Sequence, residues 1–229
     1  MPSQESEGVM KTIALNSPRT QAETDVLSQM FRLRARVFRD RLNWNVSVVG
    51  GQERDEFDEL GPTYILVLGN AHDVVGSARL LPAVGPTMLE KAFPFLLTNG
   101  KLEAHHRMVE SSRFCVDTQI LGTSRGLLNE ATLYLFAGII EWSVSQGYDE
   151  IVTATDLRFE RLLRHAGWPM QRLGEPRLID QVVSVAGILP ADEQSLKKVR
   201  PTGYRLSTGP ISTHFSTGQA HQARFPGDY

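Results

Sequence analysis

Cysteine, net charge and long apolar runs are all scarce in this chain. Of its 229 residues only Cys115 is a cysteine. One thiol excludes an internal disulfide and a cysteine-rich metal site, and it fits a reducing, cytoplasmic setting. The formal net charge is −2, which argues against the basic footprint of a nucleic-acid-binding protein. No apolar run reaches the roughly 20 residues that a membrane-spanning helix needs, and no apolar stretch follows a basic start, so no secretory signal is expected. His105 and His106 are adjacent but have no third ligand near them in sequence, and no metal site is expected. What remains is ordinary for one globular domain: 41% hydrophobic and 22% charged residues, with enough length for a sizeable core.

The unusual chemistry is concentrated in residues 34–58. Arg34, Phe38, Trp44, Glu53, Asp55 and Asp58 all fall before the first confident strand. This mixture makes a poor core and a good host for a polar ligand that carries a cation and a flat ring. Val26, Met30, Leu33 and Val37 recur at helical spacing and predict a helix over 21–41. Leu27, Phe31, Arg34 and Phe38 form the adjoining stripe, so Arg34 and Phe38 share a helix edge and can enter one pocket. The plainer alternative makes Phe38 core and Arg34 a surface side chain with a buried stem. Residues 43–61 lack periodicity and read as an ordered loop over a site. Its five carboxylates between Glu53 and Glu59 do not have calcium-loop spacing.

Residues 63–68 and 74–81 read as a hairpin that Pro82 ends. Arg79 lies on its second strand among apolar residues and needs a partner, for which the loop carboxylates are candidates. Residues 88–97 read as a short helix. Residues 108–116 read as a strand on which strict alternation puts Glu110, Ser112 and Phe114 on one face, and Ser111, Arg113 and Cys115 on the other. Glu110 and Arg113 then point apart unless a β-bulge re-aims one of them, and a bulge is expected here. A strongly apolar helix over 124–146 should be central. A strand over 150–155, a helix over 157–165, strands at 169–175 and 181–189 and a terminal helix over 190–198 complete the chain. The expected class is α/β, a three-layer α/β/α sandwich with a mixed sheet. Residues 1–199 read as the domain and 200–229 as a tail.

Arg34, Phe38, Trp44, Glu53, Asp55, Asp58, Arg79, Glu110 and Arg113 together resemble the signature of the acyl-homoserine-lactone synthases, the autoinducer synthases of the LuxI type. The resemblance spans roughly residues 10–190. It implies the N-acetyltransferase-like fold, in which the fourth and fifth strands splay and pantetheine passes through the gap. It also implies a reaction. The amine of S-adenosylmethionine attacks an acyl thioester, and the methionyl carboxylate then closes a lactone and expels methylthioadenosine. The substrates are then S-adenosylmethionine and an acyl-carrier-protein or acyl-CoA thioester, without a further cofactor.

Residue roles follow as expectations of that resemblance. Phe38 and Trp44 offer ring faces to the sulfonium and adenine, with Asp55 and Phe114 at the same site, and Arg34 either pairs the methionyl carboxylate or braces the loop through Asp55 or Asp58. Glu110 is the candidate base, acting through water or orienting the amine, and Arg79 and Arg113 are expected to lower its pKa. Backbone N–H groups freed by the bulge near Ser111 to Phe114 face the oxyanion, with the Ser112 hydroxyl beside them. Arg113, Glu53, Asp55, Asp58 and Arg79 chiefly form the ion network that holds the loop on the strands, with Arg113 also at the catalytic position. Leu133, Phe136, Ile140, Trp142 and Trp168 either line the acyl tunnel or form core, and core is the simpler reading for any single one. Thr153 matches a hydroxyl position that favours chains oxygenated at carbon 3. Gln119 to Ser124 is similar to the acetyl-CoA-binding loop of the N-acetyltransferase superfamily, with Ser124 in place of Gly or Ala. Arg158, Arg161 and Arg164 form a docking patch for an acidic carrier, or else a solvated helix face. Two other functions fit less of the chain: an N-acyltransferase acting on another amine, and a non-catalytic S-adenosylmethionine sensor.

Overall fold

The computed structural model describes residues 10–69, 72–118 and 129–207. The chain opens with β1 (Lys11–Leu15) and α1 (Gln21–Arg34). Thr20 and Glu23 start α1 with a reciprocal capping box. The helix does not continue to residue 41 in α form. From Ala35 to Arg41 it is a π-helix, with the Val37 and Phe38 carbonyls accepting from the Leu42 and Trp44 N–H groups. The expected loop that follows contains a small hairpin, β2 (Val48–Val49) and β3 (Gln52–Glu53), and a 3-10 turn, Glu56–Leu60.

Next come β4 (Thr63–Leu68), β5 (Val74–Pro82) and α2 (Met88–Ala92). The helix expected over 88–97 breaks before Pro94, which starts a separate 3-10 turn, Pro94–Leu96. Then follow β6 (Met108–Val116), α3 (Glu130–Ser145), β7 (Glu150–Asp156), α4 (Leu157–His165), β8 (Gln171–Arg172), β9 (Arg177–Ile179), β10 (Val182–Pro190), α5 (Glu193–Val199) and β11 (Leu206–Ser207). Asn129 caps α3 from extended backbone, so this helix starts six residues later than its apolar pattern suggested. The segment Gln119–Ser124 lies outside the described residues.

The strands form one sheet ordered β11-β1-β4-β5-β6-β7-β10-β8, with β9 beside β10. On one face α1 and the π-helix after it pack Met30, Leu33 and Phe38 against Ile13, Leu66 and Cys115. On the other, α3, α4 and α5 bring Leu135, Phe136, Leu163 and Leu196 against Ile65, Val67 and Ile151. These are the three layers expected. The tail expected from residue 200 does not begin there. Tyr204 is buried with its ring 5.6 Å from Tyr134, and β11 runs parallel to β1.

Two irregularities create the site. The parallel strands β6 and β7, the fourth and fifth long strands, pair only from Met108↔Glu150 to Glu110↔Val152 and then part. Beyond that point the Thr153 hydroxyl donates to the Ser111 carbonyl at 2.8 Å. The second irregularity is the expected bulge. Pairing with β5 steps from Ser77↔Cys115 to Arg79↔Ser112, three residues on β6 against two on β5, and Arg113 has φ 53°.

Candidate active site

The bulge brings together what strict alternation kept apart. Arg113 turns to the α1 side of the sheet, where Glu110, Ser112 and Cys115 also point. Phe114 turns to the other side and packs on Phe136 and Phe159, with centroids 5.5 and 4.7 Å away. Its expected place on the face of Glu110 is therefore corrected: the extra residue at Arg113 reverses the phase of everything after it.

On the α1 side three arginines and three carboxylates form a closed ring of alternating charge. Arg34 Nε meets Glu53 at 2.5 Å, and its two terminal nitrogens hold Asp58 at 2.8 and 3.0 Å. Glu53 continues to Arg113 Nε at 3.2 Å, and Arg113 Nη2 reaches Asp55 at 2.8 Å. Asp55 pairs with Arg79, which closes the circuit on Asp58 at 3.0 Å. Each carboxylate thus bridges two guanidiniums, and the six formal charges cancel. Arg34, Glu53 and Arg79 are fully buried. Arg34 is therefore not the solvent-facing side chain of the plainer alternative.

The local folding explains why the acids arrive in register. Asp55 and Asp58 form a capping box on the 3-10 turn, so each also accepts a backbone N–H there. The small hairpin delivers Glu53. The Tyr64 hydroxyl donates to Asp58 at 2.8 Å and the Arg79 Nε to Ser112 Oγ at 3.1 Å. Burial works against charge on Asp58, but its bonds to Arg34 and the Arg79 charge prevail and hold its pKa well below the usual carboxylate range. Burial likewise opposes charge on Arg34, and Asp58 and Glu53 outweigh it. At Arg113 burial prevails and the pKa is lowered.

Phe38 and Trp44 stack beside the ring, 5.1 Å between centroids and 4° from parallel. Phe38 is buried and Trp44 is 45% exposed, so the pair presents one open indole face. The Arg113 guanidinium lies 5.6 Å from the centre of the Phe38 ring.

Glu110 has a partner that the sequence did not reveal. Its carboxylate accepts the Met88 and Leu89 N–H groups at 2.9 and 2.7 Å, at the start of α2. Burial pushes its pKa up, against those two bonds and the Arg79 charge. The lowering expected from the arginines is thus overridden by burial. Met88 Sδ lies 3.1 Å from Arg113 Nη1, so α2 roofs the ring.

Across the sheet, where β6 and β7 part, lies an apolar cavity. Phe114, Phe136, Ile139, Thr153, Phe159 and Trp168 are among its walls. It encloses about 20 Å³, room for one water.

A profile of the Autoinducer synthase family matches residues 18–199. An acyl-homoserine-lactone synthase of Rhizobium radiobacter is 56% identical over 197 residues, 86% of this chain and 93% of the relative. Another from Agrobacterium fabrum is 53% identical over 196 residues, 85% and 93% of the two chains. Among solved structures, a CoA-dependent acyl-homoserine lactone synthase with SAM and isopentyl-CoA superposes with TM-score 0.76 at 25% identity, over 89% of this chain and 96% of that one. The chain belongs to the autoinducer synthase family. Its activity is acyl-homoserine-lactone synthesis, an acyltransferase reaction, and its fold is the N-acetyltransferase-like one.

All nine signature positions of this autoinducer synthase fall on one side of β5 and β6. The tunnel expectations need revision. Phe136, Thr153 and Trp168 line the cavity, but Ile140 and Trp142 do not. Ile140 is buried elsewhere in the α3 core, and Trp142 stacks on Tyr148 near the C-terminal end of the helix. Trp142, six residues on from Phe136, lies on another face of α3. Ile139, Phe159 and Leu163 were missed, although Phe159 and Leu163 are four apart on α4 and mark its inner stripe. Arg158, Arg161 and Arg164 are exposed. Glu160 between them is buried and held by Arg172 at 2.7 Å. Among the described residues no group of three metal-ligating side chains occurs, and no helix is long and apolar enough to cross a membrane.

Proposed function

We propose that the charge ring and the Phe38–Trp44 stack build the S-adenosylmethionine chamber of this synthase. The observation that carries this reading is their adjacency: one neutralised ring fixes the loop whose only exposed large ring is Trp44. The open indole face attracts the sulfonium and stacks adenine, worth about 0.5–2 kcal/mol. Arg34 braces the loop through Glu53 and Asp58, and its donors are occupied there. Asp55, the most exposed carboxylate of the ring at 17%, faces the cationic substrate.

The amine must be neutral to attack. An α-amino group has a pKa of about 7.7–8.0, so about a tenth is neutral at pH 7, and a strong base is not required. Glu110 orients the amine through a water while its two oxygens hold α2. The amine nitrogen bonds to the thioester carbonyl, and the oxyanion is met by backbone N–H groups at the Arg113 bulge and by Ser112. The thiol leaves with the proton. The substrate carboxylate oxygen then bonds to the γ-carbon, the carbon–sulfur bond breaks, and neutral methylthioadenosine departs.

The acyl chain enters between β6 and β7 and widens the cavity by moving Phe114 and Phe159. The donor is an acyl-carrier-protein thioester that docks at Arg158, Arg161 and Arg164, with acyl-CoA as the second donor. These substrates place the reaction in the cytoplasm. One assay tests the reading. The protein is incubated with S-adenosylmethionine and matched carrier-protein and CoA donors, and products are followed by mass spectrometry. Acyl-homoserine lactone and methylthioadenosine are expected in equal amounts. Absence of both with every donor would refute it.

A further inference from the structure

The last long hairpin leaves apolar side chains uncovered. Leu178 on β9 is 67% exposed and Val183 on β10 is 39% exposed. They are cross-strand partners, so they stand side by side on one face. Register identifies that face. Val183 is an even number of residues from Gly187 and Leu189 on a strand with regular pairing, and Gly187 pairs with Thr153. Thr153 and Leu189 line the acyl cavity. The apolar pair therefore extends the cavity's own face beyond the end of β7. From Gly187 to Val183 is four residues, about 14 Å along the strand, the length scale of a pantetheine arm.

The same end of the sheet carries the start of α4. Ser184, next to Val183, pairs with Asp156, which caps that helix. Arg158 and Arg161 are exposed, and among the described residues neither has a carboxylate within ion-pair distance. Glu160, the acid between them, is turned inward and neutralised by Arg172. Uncovered leucine and valine beside free guanidiniums suit a protein surface with acidic side chains around an apolar centre. A nucleotide would use the arginines and leave Leu178 without a contact.

We infer that the β9–β10 hairpin, through Leu178 and Val183, is the apolar half of the surface that docks the acyl carrier protein, next to Arg158 and Arg161. This rests on the carrier-docking reading of α4. It is tested with one acyl chain presented on carrier protein and on CoA, reading the ratio of the two KM values. Leu178→Asp should raise that ratio about tenfold by apolar loss and repulsion of an acidic partner. Leu178→Lys should raise it less. Arg158→Glu combined with Arg161→Glu, run alongside, separates the two ideas. If only the arginine variant raises the ratio, the hairpin inference is overturned and the α4 patch stands. If neither does, or if the native protein does not turn over carrier-bound acyl chains, both fall. An equal rise in KM for both donors would also overturn the hairpin's role.

Discussion

Asp58 carries four interactions at once: Arg34, Arg79, the Tyr64 hydroxyl and the Asp55 N–H. Asp58→Asn leaves buried guanidiniums short of charge, and denaturant melts should show a loss of about 3–5 kcal/mol. The same residue sets an acid limit. Its folded pKa is depressed, so its contribution is complete above the unfolded value, about 4, and is lost as pH falls below that toward the folded value. Stability of the native protein should drop steeply below about pH 4, and the Asn variant should show a flatter slope. Glu110 makes a different prediction. If it orients the amine, Glu110→Gln lowers kcat/KM but leaves the acid limb of its pH profile in place, because the amine's own proton sets that limb. Disappearance of the limb would make Glu110 the base. The sequence exposed Arg79's need for a partner among the loop carboxylates, of which Asp58 is one, since an arginine among apolar strand residues must pair. It did not expose Glu110's hold on Met88 and Leu89, because backbone donors leave no mark in residue identity.

At the scale of elements, the bulge in β6 was legible and its consequence was not. Glu110 and Arg113 sit three apart on a strand, a spacing that only an extra residue reconciles with a common face. Where the extra residue falls decides which later side chains flip, and that depends on pairing with β5. Phe114 crossed to the side of Phe136 and Phe159 for this reason. The π-helix after Arg34 was also hidden, because the hydrophobic stripe continues through Val37 and Phe38 in either form. Packing of α3 was readable from its apolar run, yet its closeness to the sheet depends on one glycine. A Cβ at Gly138 would lie 2.7 Å from both Ile65 Cγ2 and Thr12 Cγ2. Gly138→Ala should therefore destabilise the protein by about 1–3 kcal/mol through overpacking, read from a thermal or denaturant midpoint. An unchanged midpoint would show that α3 is free to shift.

For the whole molecule, length and composition indicated one domain, the order of strands and helices its α/β class, and the resemblance to the synthase signature its chemistry. The C-terminal limit was misjudged because residues 200–207 are too short and polar to show periodicity. They nevertheless bury Tyr204 and add β11 beside β1. A chain ending at residue 199 should melt at a lower temperature than one ending at residue 207, and equal melting would assign these residues no structural part. The central claim is that a neutral ring of opposite charges seats the Trp44 segment against the sheet and so makes the nucleotide site. Calorimetric binding of S-adenosylmethionine to Asp55→Asn, compared with the native protein, tests it most directly. The account predicts binding weakened about tenfold or more with the fold retained; a Kd within about twofold of native would contradict it.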